Sequence, residues 1–243
     1  MPKKLNKKKI LIVGGSSGLG VHITNMYLNK NFDVSIICRS KNKNFPKKLK
    51  QYTCDVTKNI KLRKTLKIIQ KDQNSFDIII HNVGGSQKIF NHQVKSDEYF
   101  KVWNANLGYA IEINNFFIPS MIKKNWGRII HVSSSAAYNY SAPVAYSSAK
   151  SALNTYVSSL ARKLIKNKIV ISSVCPGPIE LPERFMTIAQ IKKNKFWREY
   201  KKYHLPIGRL AKPEEISSVI YFLSSDKASY CSGAIWNVDG SEY

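Results

Sequence analysis

Tyr146 and Lys150 stand four residues apart in Ala145-Tyr146-Ser147-Ser148-Ala149-Lys150. On a helix that spacing puts both side chains on one face, one turn apart. An ammonium beside a phenol favours the phenolate, so the pair predicts a tyrosine that exchanges protons nearer neutral pH than its ordinary value of about 10. A dozen positions upstream, Ser133-Ser134-Ser135 closes the apolar run Arg128-Ile129-Ile130-His131-Val132. A strand end is a usual place for a hydroxyl that meets a ligand. A lone Tyr-x-x-x-Lys is more often an ordinary helix surface; the elements around this one give it weight.

Lys9-Ile10-Leu11-Ile12-Val13 reads as a buried parallel strand that opens into Gly14-Gly15-Ser16-Ser17-Gly18-Leu19-Gly20, followed by a helix carrying Val21, Ile23, Met26, Tyr27 and Leu28. Strand, glycine loop and helix N-terminus together make a pyrophosphate cradle, with backbone N–H groups and the positive helix end facing the anion. The second strand, Asp33 to Cys38, ends in Cys38-Arg39-Ser40. An NAD site would carry an acidic residue there for the ribose. Here a guanidinium stands instead, with Lys41 and Lys43 nearby, and it can clamp a 2′-phosphate. That favours NADP(H), with NAD(H) left open.

After a lysine-rich loop over 41–50, a third strand is expected at Tyr52–Val56, with Asp55 able to accept from an adenine amino group and Val56 packing on the ring. Thr57 caps a helix through Leu62, Leu66 and Ile69. Phe76–Ile80 is the expected fourth strand, running into His81-Asn82-Val83-Gly84-Gly85. Ser96-Asp97-Glu98 starts one long helix through Phe117 with Asn106 inside it, in a chain where asparagine is common. Gly127–Val132 and Ile169–Val174 are further strands, the latter closed by Cys175-Pro176-Gly177-Pro178-Ile179. Between them a helix runs from about Ala145 to Lys166. Residues 181–204 interleave aromatic and basic side chains and read as a helical flap over a site. Pro213-Glu214-Glu215 starts a last helix and Ala234–Val238 a last strand. Alternating strands and helices without a repeat or linker predict one α/β domain over 1–243, a doubly wound parallel sheet of about seven strands with helices on both faces.

Composition narrows the partners. The formal charge is +24, yet only seven of the 39 basic residues are arginine and the lysines travel with asparagine and isoleucine, the mark of an A/T-rich coding sequence. No helix carries a continuous basic stripe, so no nucleic-acid partner is expected. No segment reaches the apolar length of a membrane span. Four scattered cysteines give no metal or redox spacing and suggest reduced thiols in a cytoplasmic protein.

From about Lys9 onward the chain resembles the short-chain dehydrogenases/reductases, in particular members like 3-oxoacyl-[acyl-carrier-protein] reductase. The matching motifs are Gly14-x-x-x-Gly18-x-Gly20, Asp55-Val56, Asn82-Val83-Gly84, Asn106, the serine run, Tyr146-x-x-x-Lys150, Pro176-Gly177, Pro206-Ile207-Gly208-Arg209-Leu210, Pro213-Glu214-Glu215-Ile216 and Val238-Asp239-Gly240. The resemblance implies a Rossmann fold and reduction of a carbonyl, or the reverse. Tyr146 would be the acid/base, and Lys150 would lower its pKa and hold the nicotinamide ribose. A serine, Ser134 or its neighbour Ser133, would bond the carbonyl oxygen, and Asn106 would hold a water linking Lys150 to solvent. It also implies a homotetramer or homodimer, and its C-terminal motifs imply a carrier-bound 3-oxoacyl substrate; the stretch Asn82-Val83-Gly84-Gly85-Ser86 and the aromatic, basic flap would also fit a nucleotide sugar. The chain departs from the family at Val13 and Leu181, where Thr is frequent, and at His81, where Asn is frequent. A dinucleotide-binding subunit without turnover is the alternative.

Overall fold

The computed structural model describes residues 7–181 and 194–242. Seven parallel strands form one sheet: β1 (Lys9–Val13), β2 (Asp33–Cys38), β3 (Lys50–Thr53), β4 (Ile78–His81), β5 (Gly127–Val132), β6 (Ile169–Pro176) and β7 (Ile235–Val238), in the order β3-β2-β1-β4-β5-β6-β7. The order reverses between β1 and β4, and the crevice outside the strand ends at that switch point is where such sheets bind ligands.

The strands are buried on both faces because helices cover both. Alternate residues sort the two layers. Leu11, Val13, Ile37, Ile79 and Ile129 face α2 (Asn59–Gln73), α4 (Tyr109–Lys124) and α5 (Val144–Leu164), through side chains such as Leu66, Phe117, Leu153 and Val157. Ile10, Ile12, Ile36, Ile80 and Ile130 face α1 (Leu19–Asn29) and α7 (Pro213–Leu223), through Ile23, Tyr27, Ile216 and Ile220. Helix α6 (Lys195–His204) is the C-terminal part of the segment expected as a flap. Residues 182–193 of that segment lie outside the described residues.

Two expected elements come out differently. The strand expected at Tyr52–Val56 is β3 at Lys50–Thr53, which leaves Asp55 and Val56 on the loop beyond the sheet edge. The long helix expected from Ser96 is split: α3 (Ser96–Trp103) passes into a π-helical turn, Asn104–Gly108, before α4 begins. Such wide turns gather at functional sites. Gly108 permits this one, since a Cβ there would lie 2.5 Å from Asn104 Oδ1 and 2.8 Å from the Trp103 ring.

The glycine loop is tighter than its motif alone conveys. Gly14 has φ +83° and hydrogen-bonds the Ile37 carbonyl, and its own carbonyl accepts from Asn82 Nδ2 at 3.1 Å. A Cβ on Gly20 would stand 2.0 Å from that same carbonyl. The Gly20→Ala variant is therefore expected to lose roughly 1–3 kcal/mol of stability, with about 2–4 °C of melting temperature lost per kcal/mol for a chain of this size. Thermal denaturation checks this, and an unchanged melting temperature would contradict so close an approach.

Candidate active site

Helix α5 starts from Pro143, whose carbonyl accepts the first amides, from Tyr146 at 2.9 Å and Ser147 at 3.0 Å. Ser151, on the next turn, donates to the Ala137 carbonyl at 2.8 Å and so ties α5 to the 3₁₀ turn Ser135–Ala137 that follows β5. These contacts bring the serine run against Tyr146 and Lys150. The Ser134 side chain stands close enough to the Tyr146 phenol to lower its pKa, and its oxygen accepts from the Ala136 amide at 3.2 Å. Ser133 turns the other way, its hydroxyl donating to the Lys150 carbonyl at 3.5 Å. Of the two serines, only Ser134 has its hydroxyl at the phenol.

Lys150 is 2 % exposed, and its ammonium donates to the Val132 carbonyl at 2.9 Å. Burial pushes it down to about 8. Its Nζ lies 5.7 Å from the centre of the Tyr146 ring. The phenol itself is pushed up from its ordinary value by burial, with the Ser134 side chain pulling the other way. The Tyr-x-x-x-Lys spacing predicts the opposite direction. Desolvation of both groups reverses it, because low-dielectric surroundings disfavour phenolate and ammonium alike.

The π-helical turn presents the buried Asn106 to the loop after β4. Its Oδ1 accepts from the Gly85 amide at 3.0 Å, and its Nδ2 donates to the Gly85 carbonyl at 2.9 Å and the Val102 carbonyl at 2.8 Å. A Cβ on Gly84 would meet Asn106 Oδ1 at 2.7 Å and Lys150 Nζ at 3.0 Å. Asn106 thus fixes the loop that passes directly over the ammonium. Val83 is held from behind by Tyr109, whose hydroxyl bonds both its amide and its carbonyl.

Two adjoining cavities meet at Ser17, Asn82, Val83 and Gly84. One, of about 480 Å³, contains Ser134, Tyr146 and Lys150 together with Leu19, Pro176, Gly177, Ile179 and Leu181. The other, of about 660 Å³, contains Gly14, Ser16, Arg39, Ser40, Asp55 and Val56. Gly18 and Gly20 sit behind them, at the start of α1. That helix has no side-chain cap and no acidic residue in its first turn, so its N–H groups suit an anion. Arg39 is exposed at the end of β2. Asp55 accepts from the Thr57 amide and hydroxyl; desolvation pushes its carboxyl up, but these bonds, with Lys58 and Arg39, leave it below its ordinary value. The groove thus offers an uncapped helix end, an exposed guanidinium and an acceptor beside an apolar side chain, which fit a nicotinamide dinucleotide.

Four residues make supporting contacts that the sequence does not reveal. Asn42 holds the loop after β2 to the glycine loop through Ser16 and exchanges two hydrogen bonds with Gln51. Glu242 lines the cleft of Tyr146 from far along the chain. His81 and His131, in register on β4 and β5, stack with ring centres 4.5 Å apart behind the site. Burial pushes His81 down to about 4 and His131 well below its ordinary value, so both are neutral near pH 7. Among the described residues no group of three or more His, Cys, Asp or Glu could hold a metal ion, and no helix is long and apolar enough to cross a membrane.

Residues 14–240 match the family model described as Enoyl-(Acyl carrier protein) reductase. The 3-oxoacyl-[acyl-carrier-protein] reductase FabG of Thermotoga maritima is 28 % identical over 247 residues, 98 % of each chain. FabG of Pseudomonas aeruginosa is 33 % identical over 196 residues, 78 % of this chain and 74 % of its own. Among solved structures, L-sorbose reductase from Gluconobacter frateurii superposes with a TM-score of 0.86 at 24 % identity, covering 100 % of this chain and 98 % of the other. A short chain dehydrogenase family protein from Francisella tularensis gives 0.81 at 27 %, covering 96 % and 98 %.

The buried ammonium generates a stability prediction. With about 8 in the folded chain against an ordinary 10.5, Lys150 binds fewer protons folded than unfolded across that window. Stability therefore rises with pH between the two values, and below them the charge is a net cost. Lys150→Met is expected to gain roughly 1–3 kcal/mol at pH 7 and to flatten that rise. Urea unfolding of the cofactor-free protein at neutral and high pH measures both; a variant less stable at pH 7 would contradict the assignment.

Proposed function

The chain belongs to the short-chain dehydrogenase/reductase family of NAD(P)-dependent oxidoreductases, and on that premise we propose that it is an NADP(H)-dependent carbonyl reductase with Tyr146 as its acid. The observation that carries the reading is the gathering of Ser134, Tyr146 and the buried Lys150 in one cleft continuous with the glycine cradle. When bound, the nicotinamide supplies a hydride. The rest falls to the chain. Ser134 and Tyr146 converge their hydroxyls on one carbonyl oxygen and stabilise the charge that grows there. Tyr146 gives that oxygen a proton, or takes it in the reverse direction. Its raised pKa keeps it in the donor form through neutral pH. Lys150 bonds the nicotinamide ribose and, as a cation near the phenol, eases the loss of its proton. Asn106 keeps the Gly84-Gly85 peptide over Lys150 and is the place for a water connecting that ammonium to solvent.

In the adenosine half, Arg39 and Ser40 take the 2′-phosphate, Asp55 and Val56 the adenine, and Gly14, Ser16, Ser17, Gly18, Leu19 and Gly20 the pyrophosphate. Asn82, Val83, Gly84, Pro176, Gly177 and Ile179 flank the nicotinamide end. Leu181 in the cleft and Tyr200 of α6 bonded to Glu242 at its rim, the described ends of the segment expected as a flap, support that role. The relatives' names point to a 3-oxoacyl group on an acidic carrier, which the +24 charge would suit, and a nucleotide sugar is the other candidate. Apolar side chains left exposed on α3 and α5, Phe100, Trp103 and Val144, support a homodimer or homotetramer. Four unpaired cysteines suit the cytoplasm.

Tyr146→Phe is expected to lower turnover by about 10²–10⁴-fold and to leave NADPH binding nearly unchanged; turnover at the wild-type rate would overturn the reading. Arg39→Ala is expected to weaken NADPH by roughly 10–100-fold while sparing NADH, as read by side-by-side fluorescence titration. Equal losses for both cofactors would reassign Arg39 to the loop fold.

A further inference from the structure

Glu242 is 7 % exposed, and its carboxylate is divided between two surroundings. Oε1 accepts a hydrogen bond from the Tyr200 hydroxyl of α6. Oε2 is buried and has no hydrogen-bond partner among the described residues. The side chain lines the cleft that also contains Ser134, Tyr146 and Ser141. Oε2 sits above Gly177, where an added Cβ would come within 3.1 Å of it. The Gly177 amide cannot satisfy that oxygen, since it already donates to the Val238 carbonyl. Nor is the position an accident of a loose chain end. Tyr138 bonds Asp239 and Tyr200 bonds Glu242, so two contacts draw this segment over the cleft, and the Ser241 amide closes a local turn onto Asp239 Oδ1.

A buried carboxylate oxygen with an unmade bond is costly, and a native structure keeps one where a partner arrives later. An ionised carboxylate only accepts, so the arriving group is a donor. The donor comes on the molecule whose carbonyl Ser134 and Tyr146 hold, because all three side chains open into one cavity.

We propose that Glu242 is a specificity residue whose free oxygen accepts a hydrogen bond from a substrate hydroxyl close to the reacting carbonyl, making hydroxylated ketones the preferred substrate class. The proposal rests on the reductase reading and decides within it. A sugar-like chain carries hydroxyls beside its carbonyl. The alkyl part of a 3-oxoacyl chain would leave the carboxylate desolvated and unpaired, and a site built to bond a hydroxyl rejects analogues that lack it.

The test uses pairs of equal shape: hydroxyacetone against 2-butanone, and 1,3-dihydroxyacetone against 3-pentanone, with acetoacetyl-coenzyme A as the acyl probe. NADPH consumption is followed for the full chain and for Glu242→Gln and Glu242→Ala. The wild type is expected to favour each hydroxyketone over its alkyl partner by about tenfold or more in kcat/KM. The Ala variant is expected to lose most of that ratio. The Gln variant, which matches the native shape and still has an acceptor oxygen, is expected to keep part of it; that ordering also separates lost recognition from a general packing defect. Turnover without preference for the hydroxyl, a ratio unchanged in Glu242→Ala, or preference for the acyl probe would overturn the proposal and leave the reductase reading standing. Absence of turnover on every probe by a wild type that binds NADPH would overturn both.

Discussion

The site depends on keeping the Lys150 ammonium almost wholly out of water. One carbonyl, that of Val132, receives it directly. Everything around it must come close without touching. Gly84 has no room for a side chain because Lys150 Nζ and Asn106 Oδ1 would occupy the same space. Asn106 can hold Gly85 from both sides only because the helix widens by a π turn at that residue. A cation so enclosed is costly by itself. The cost is borne at the place where the proposed reaction calls for a positive charge beside a phenol and a ligand, and desolvation commonly gathers at functional sites.

The same region joins the two halves of the groove. The loop Asn82–Gly85 lines the dinucleotide cavity on one side and the Tyr146 cleft on the other. Asn82 reaches back to the Gly14 carbonyl, so the cradle after β1 and the loop after β4 are fixed to each other across the switch point of the sheet. A ligand held by the first is therefore registered against the hydroxyls of the second. Electrostatics also divide the groove, with Arg39 and its neighbouring lysines at one end and the Glu242 carboxylate at the other.

Much of this was legible in the sequence, and the limits are physical. The strands at Lys9–Val13, Asp33–Cys38 and Gly127–Val132 could be read to the residue, because a parallel strand buried on both faces is a continuous apolar run between turn residues. Edge strand β3 slid by two residues at its start, since Lys50 and Gln51 carry no apolar signal. Tyr146 and Lys150 were legible because a four-residue spacing is local. The π turn was not: it inserts a residue into a pattern that still looks helical, and its evidence lies in what Asn106 touches. The direction of the Tyr146 shift was lost for a similar reason, since spacing reports the nearness of a charge and is silent about burial. Glu242 had no signal at all; only the fold carries it to Gly177.

The most direct measurement is the titration of Lys150 itself. Its side-chain nitrogen can be followed by NMR in ¹⁵N-lysine-labelled protein from neutral to high pH, with the resonance assigned by its loss in Lys150→Met. The expected midpoint is about 8, where burial pushes the ammonium. A midpoint near the ordinary lysine value of about 10.4 would mean a solvated cation, and the enclosed site on which the reading rests would be contradicted.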